Sequence, residues 1–129
     1  MKKIHVAVAV IQDGDFILAT QRGYGELKGG WEFPGGKVEE GETPKEALVR
    51  EIREELAANI QVGDLIESFD YDYPDFRVTL DCFWANLCPG EKISLLEHLD
   101  AKWLNKERID EVEWLPANID FIQRLKKDL

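Results

Sequence analysis

Residues 36–58 read GKVEEGETPKEALVREIREELAA: a glycine turn, a capped helix start, then carboxylates at helical spacing. Thr43-Pro44-Lys45-Glu46 is a capping box, with Thr43 as N-cap, Pro44 at the first helical position and Glu46 reaching back. Leu48, Val49, Ile52 and Leu56 form an apolar stripe suited to packing on a sheet. Beside it, at about 100° per residue, Glu51, Glu54 and Glu55 fall within roughly a third of the circumference. Three carboxylates on so small an arc repel one another unless something positive sits between them, and a divalent cation answers that need. A solvated acidic face is the plainer alternative, but it explains neither Gly35-Gly36 nor the placement of Arg50.

The order of these parts resembles the Nudix box, the defining motif of the Nudix hydrolases. That pattern runs Gly, five residues, Glu, seven residues, Arg-Glu, an aliphatic, any residue, Glu-Glu, any residue, Gly, an aliphatic. Gly36, Glu42, Arg50, Glu51, Ile52, Glu54 and Glu55 stand at the corresponding positions here. The last two positions depart, with Ala57 for the glycine and Ala58 for the larger aliphatic. The expectation is a helix that runs slightly longer, with Asn59 taking the left-handed turn that glycine usually supplies.

A length of 129 residues suits a single domain over residues 1–129, large enough for a sizeable core. Lys2 and Lys3 precede a short alternating run and not a signal-peptide block, and no apolar stretch approaches ~18 residues, so no membrane span is expected. Two cysteines close in sequence, Cys82 and Cys88, point to a reduced cytoplasmic chain rather than a disulfide framework. Cys82 shares strand parity with Val78 and Leu80 and reads as a buried thiol. A net charge of −10 argues against a nucleic-acid polymer as partner. It suits a small anionic substrate carried in with Mg²⁺.

Along the chain, residues 4–11 read as a buried strand and Asp13-Gly14-Asp15 as the turn into a second, residues 16–21. Residues 23–30 form a glycine-rich loop. Trp31-Glu32-Phe33 is a short strand ending at Pro34-Gly35-Gly36, which turns toward the box. Residues 61–73 and 76–87 read as a hairpin around Pro74-Asp75, and residues 97–104 lead into a strand ending at Trp103-Leu104. Residues 116–125 read as a second amphipathic helix with Ile119, Ile122 and Leu125 on one face. The pattern alone gives a mixed α/β domain; the resemblance sharpens it to the Nudix fold, a mixed β-sheet sandwiched between α-helices.

The resemblance also implies roles. It assigns Glu51, Glu54 and Glu55, with the Gly36 carbonyl, as ligands of Mg²⁺ or Mn²⁺. It makes Arg50 the residue that orients the glutamates, and Glu42 one that ties down the loop or reaches metal through water. Either Glu51 or Glu97 would take a proton from the attacking water, and Glu97 could also bind metal. Outside the box the likeness points to the MutT-like branch, through Trp31-Glu32-Phe33-Pro34-Gly35-Gly36-Lys37, Tyr73-Pro74-Asp75 and Pro116-Ala117-Asn118. Arg22 and Lys37 are candidates for phosphate contact, and Phe76, Arg77 and Phe83 for the base pocket. Asn118 can read a base edge through both donor and acceptor, although a helix-capping role is the simpler reading. His5 and His98 have no metal-ligand spacing and read as incidental. The implied activity is hydrolysis of a nucleoside triphosphate to monophosphate and pyrophosphate, of the 8-oxo-dGTP type. CTP or modified dCTP is the alternative substrate, and a non-catalytic nucleotide-binding module the alternative class. A monomer or homodimer is expected.

Overall fold

The computed structural model describes residues 2–129. Its elements are β1 (Lys2–Asp13), β2 (Phe16–Gln21), β3 (Trp31–Glu32), β4 (Gly35–Lys37), α1 (Pro44–Leu56), β5 (Ile60–Asp72), β6 (Phe76–Leu87), β7 (Asp100–Leu104) and α2 (Pro116–Leu125). One mixed sheet runs β3-β2-β1-β6-β5, with β4 also paired to β1 and β7 to β2. β1 is the axis. It lies parallel to β6 from Lys2↔Phe76 to Gln12↔Asn86. On its other edge it changes partner, from β4 at Val6↔Lys37 and Val8↔Gly35 to β2 at Gln12↔Ile17. The expected hairpin is present as β5 and β6.

The period of two in β1 sorts its side chains onto two cores. Ala7, Ala9 and Ile11 face α1 and pack with Leu48, Ile52 and Leu56. Val8 and Val10 face the other way and pack with Phe121, Ile122 and Leu125 of α2. The two apolar helical stripes therefore cover opposite faces of the sheet. Cys82 is buried on the α2 side. Among the described residues, no helix is long and apolar enough to cross a membrane.

Three local expectations need correction. Residues 35–37 do not merely turn toward the box: they form β4, because the glycine backbone can lie close against β1. On α2, Ile119 is 49% exposed, and the buried face carries Asn118, Phe121, Ile122 and Leu125. The 3.6-residue period places Ile119 one step off that face. At the end of α1 the helix stops at Leu56, and Ala57 itself takes the left-handed conformation, φ 52° and ψ 36°. Asn59 is occupied otherwise, accepting two hydrogen bonds from Arg53 and donating one to Glu91.

Ala57 is exposed and is the one described non-glycine residue with positive φ. An L-residue pays about 1–2 kcal/mol for that conformation, whereas glycine adopts it freely at some cost in unfolded-chain entropy. Ala57→Gly is therefore expected to stabilise the protein by about 0.5–1 kcal/mol. Urea unfolding checks this, and a lower midpoint would mean that the helix end is not strained.

Candidate active site

The capping box starts α1 as the sequence implies. Thr43 Oγ1 accepts from the Glu46 amide at 3.1 Å, and Glu46 Oε1 accepts from the Thr43 amide at 2.9 Å. The buried Ala47, Leu48, Ile52 and Leu56 set the rotation of the helix on the sheet, so that Arg50 and Glu51 emerge against β4. Arg50 then becomes a hub. Its Nε and Nη2 donate to the two carboxylate oxygens of Glu42 at 2.8 and 2.9 Å. Nη1 donates to Glu51 Oε1 at 2.7 Å and Glu54 Oε2 at 3.3 Å, and Nη2 also donates to the Lys37 carbonyl at 3.0 Å. One guanidinium thus joins the box loop, the helix and β4. Glu42 also accepts from the Glu39 amide, and the Arg50 bond leads in holding its carboxyl down to about 2. The loop-tying place expected for Glu42 is observed.

Glu51 lies flat against β4. A Cβ built on Gly36 would sit 2.4 Å from the Glu51 carboxylate carbon. Burial raises the Glu51 pKa against the opposing pull of Arg50. Glu55 is deeper, at 6% exposure, and its Oε2 has no hydrogen-bond partner. Burial first, then the charges of Glu51, Glu97, Glu32 and Glu54, push its carboxyl up to about 9. An orphaned buried carboxylate oxygen surrounded by further carboxylates is a poor arrangement for a protein alone. The donor set is all oxygen, which fits a hard divalent cation such as Mg²⁺ or Mn²⁺. No group of three acidic, histidine or cysteine side chains is already closed into a cation cage among the described residues. Glu54 is 56% exposed and paired with Arg50 at 3.3 Å, so its side chain would have to swing inward to join a cation.

A cleft of about 510 Å³ joins this acidic end to an apolar one. The acidic end is lined by Glu51, Glu55, Glu97 and His98, with Arg22 and Lys37 at its sides. Val6, Phe33, Phe76, Val78 and Leu80 wall the other end, where Asn118 sits on the first turn of α2. That turn is pinned to the sheet: the Trp31 amide donates to the Glu113 carbonyl at 3.0 Å, and the Leu115 amide to the Trp31 carbonyl at 2.8 Å. Asn118 does not cap the helix, since the N-cap is Leu115 and no side chain caps it. It is buried, at 5% exposure, yet neither polar atom of its carboxamide is a sealed orphan. The carboxamide therefore faces the cleft.

The cleft brings together Gly36, Glu51, Glu55, Glu97, Arg22, Lys37, Phe76 and Asn118. Two expected base-pocket residues lie elsewhere. Phe83 is on the opposite face of the sheet, under α1 and beside Lys45. It is odd-numbered on β6, whereas Phe76, Val78 and Leu80 are even, and a strand cannot present both to one pocket. Arg77 shares that odd parity and is partly buried, paired with Asp72 at 2.6 Å. Arg22 lines the cleft but is not a free cation, since it donates to both oxygens of Glu32 at 2.9 and 2.6 Å. Burial opposes its charge, and the paired carboxylate outweighs burial to leave the pKa raised.

His98 is the residue that spacing alone overlooked. Its side chain is 3% exposed, its Nε2 is 3.7 Å from Glu55 Oε1, and its Nδ1 has no partner. Burial lowers its pKa. A histidine directly after Glu97 was the available signal, but only the fold shows that it meets Glu55. His5, by contrast, pairs with Asp81 away from the cleft.

A NUDIX domain profile matches residues 1–125. The chain belongs to the Nudix family. This Nudix chain is 32% identical over 129 residues to the 8-oxo-dGTP diphosphatase of Escherichia coli (strain K12), covering 98% of the chain and 99% of that relative. It is also 32% identical over 136 residues to the CTP pyrophosphohydrolase of the same organism, covering 95% and 91% respectively. Among solved structures, the MutT protein of Methanosarcina mazei Go1 superposes with a TM-score of 0.82 at 28% identity, covering 98% of this chain and 95% of that one. The mixed sheet between two helices is thus the Nudix fold.

Proposed function

We propose that this Nudix chain is a pyrophosphohydrolase that uses Mg²⁺ or Mn²⁺ to hydrolyse a nucleoside triphosphate to its monophosphate and pyrophosphate. The observation that carries this is one continuous cleft with the buried Glu55 and its neighbouring carboxylates at one end and an apolar pocket bearing Asn118 at the other. A triphosphate nucleotide has that polarity. Glu51, Glu54, Glu55 and Glu97, with the Gly36 carbonyl, would hold the cation. When bound, the cation neutralises phosphate charge and makes water more acidic. Arg50 keeps Glu51 oriented through its 2.7 Å bond. Glu97 lines the cleft and enters none of the described ion pairs, so it has acceptor oxygens free for the water proton, whereas Glu51 is shared with Arg50. Lys37 and Arg22 flank the phosphates, and Phe76 walls the base. The free cysteines and acidic surface support a reduced cytoplasmic setting and a free nucleotide rather than a polymer.

For the base, the Asn118 carboxamide can meet a donor and an acceptor on one base edge, and several relatives named 8-oxo-dGTP diphosphatase make 8-oxo-dGTP the first reading. A cytidine triphosphate is the second reading, supported by equal identity to the CTP enzyme. The test is kcat/KM with Mg²⁺ for 8-oxo-dGTP, dGTP, CTP, dCTP and 5-methyl-dCTP, with pyrophosphate and orthophosphate assayed separately. A large preference for 8-oxo-dGTP with pyrophosphate release supports the first reading, and a cytidine preference the second. No turnover of any of the five would overturn both.

Asn118→Ala is expected to raise KM for the preferred nucleotide about tenfold or more, with a much smaller effect on its competitors. Equal effects on all five triphosphates would show that Asn118 does not read the base.

A further inference from the structure

The two buried side-chain polar atoms without a partner among the described residues are Glu55 Oε2 and His98 Nδ1. They belong to neighbouring groups. Leaving a polar atom buried and unpaired costs about 1–3 kcal/mol, so packing alone gives no reason for two of them side by side. The backbone shows that the pairing is built. The Ser94 amide donates to the Leu56 carbonyl at 2.8 Å and the Leu96 amide to the Glu55 carbonyl at 3.1 Å. The segment thereby takes up carbonyls that the last turn of α1 leaves open. The Leu99 amide then donates to the Gln21 carbonyl at 3.0 Å, which ties the segment to β2 before β7 begins. His98 lies between these anchors. Its imidazole is enclosed beside Glu55, while Glu97 lines the cleft next to it.

We propose that His98 is a positioning residue for Glu55: its imidazole donates Nε2–H to Glu55 Oε1 and leaves Oε2 for the cation. The inference rests on the metal reading given under Proposed function and adds to it the group that orients one ligand. At 3.7 Å the two atoms are in ion-pair range but not yet hydrogen-bonded, so a small side-chain adjustment completes the contact. Carboxylates that bind metals are commonly held by such a partner, whose loss weakens metal affinity about 10–100-fold. With Nε2 protonated, Nδ1 is an acceptor inside the cleft wall.

The test is Mn²⁺ binding to the substrate-free protein, read from the free Mn²⁺ signal in electron paramagnetic resonance, for the parent chain, His98→Ala and His98→Gln. Thermal unfolding with chelator present verifies that each variant is folded. His98→Ala is expected to weaken Mn²⁺ affinity about tenfold or more with its chelated melting temperature near the parent's. His98→Gln, which keeps an N–H donor, is expected to recover most of that affinity. Unchanged affinity in His98→Ala would overturn the proposal. Equal loss in both variants would overturn it too, in favour of direct imidazole coordination. Failure of the parent chain to bind Mn²⁺ would instead overturn the metal reading itself, which separates the two results.

Discussion

Glu55→Gln is expected to make the metal-chelated protein more stable and nearly inactive. Glu55 is 6% exposed, has an unpaired oxygen, and lies among Glu51, Glu97, Glu32 and Glu54. Gln keeps the shape and removes the ionisable group. Turnover should fall on the order of a thousandfold, since losing a metal ligand removes several kcal/mol of transition-state stabilisation. The melting temperature in chelator should rise by roughly a few degrees. The direction with pH follows from the raised carboxyl. The folded state holds a proton on Glu55 up to about 9, whereas the unfolded chain releases it near 4.5. Between those values the folded state binds more protons, so the parent loses stability as pH rises. Gln has no such slope, and its advantage should widen from pH ~5 to ~9. Mg²⁺ should reverse the order by stabilising the parent alone. Thermal scans in chelator and in Mg²⁺ across this range measure it. Parallel pH profiles for the two proteins would show that Glu55 is not held in this environment.

The second large effect separates two adjacent glycines. A Cβ on Gly35 would lie 2.1 Å from the Ala7 carbonyl oxygen and 3.0 Å from Val8 Cα. Both obstacles are backbone of the central strand, where Ala7 and Val8 are buried and paired on both edges. Nothing there can move cheaply. Gly35→Ala is therefore expected to cost about 2–3 kcal/mol of stability, read by urea unfolding. A Cβ on Gly36 meets instead the Glu51 carboxylate, the nearest atom at 2.4 Å. That is the end of a flexible side chain, so the fold should survive while Glu51 is pushed off its bond to Arg50. Gly36→Ala should retain most of its stability and lose about a hundredfold in kcat/KM. Equal stability loss in both variants, or full activity in Gly36→Ala, would contradict this division.

Much of the site was legible because it is helical and local. The capping box and the order of Arg50, Glu51, Glu54 and Glu55 determine a face of α1 wherever the helix is placed, and Thr43 and Glu46 bond as their spacing implies. The Ala57 position was less legible. Two conformations could end the helix, and a preference for asparagine in left-handed turns is weak beside the side-chain ties that Arg53 and Glu91 make to Asn59. Phe83 was misplaced because identity was weighed without parity: an aromatic residue near a motif says little until its strand face is counted. His98 was invisible to spacing because its partner lies 43 residues earlier, a separation that only the return of the chain from β6 to α1 closes.

By itself, then, the sequence determined the helix that carries the carboxylates, the hairpin, the family and the acidic character of the site, since each rests on short-range geometry or on a contiguous motif. Tertiary structure decided which carboxylate is buried, which cation is already paired, which face of β6 walls the cleft, and that His98 meets Glu55. Burial and unmet hydrogen bonds depend on what the rest of the chain brings alongside a residue. That is a property of the packed molecule, and no local pattern contains it.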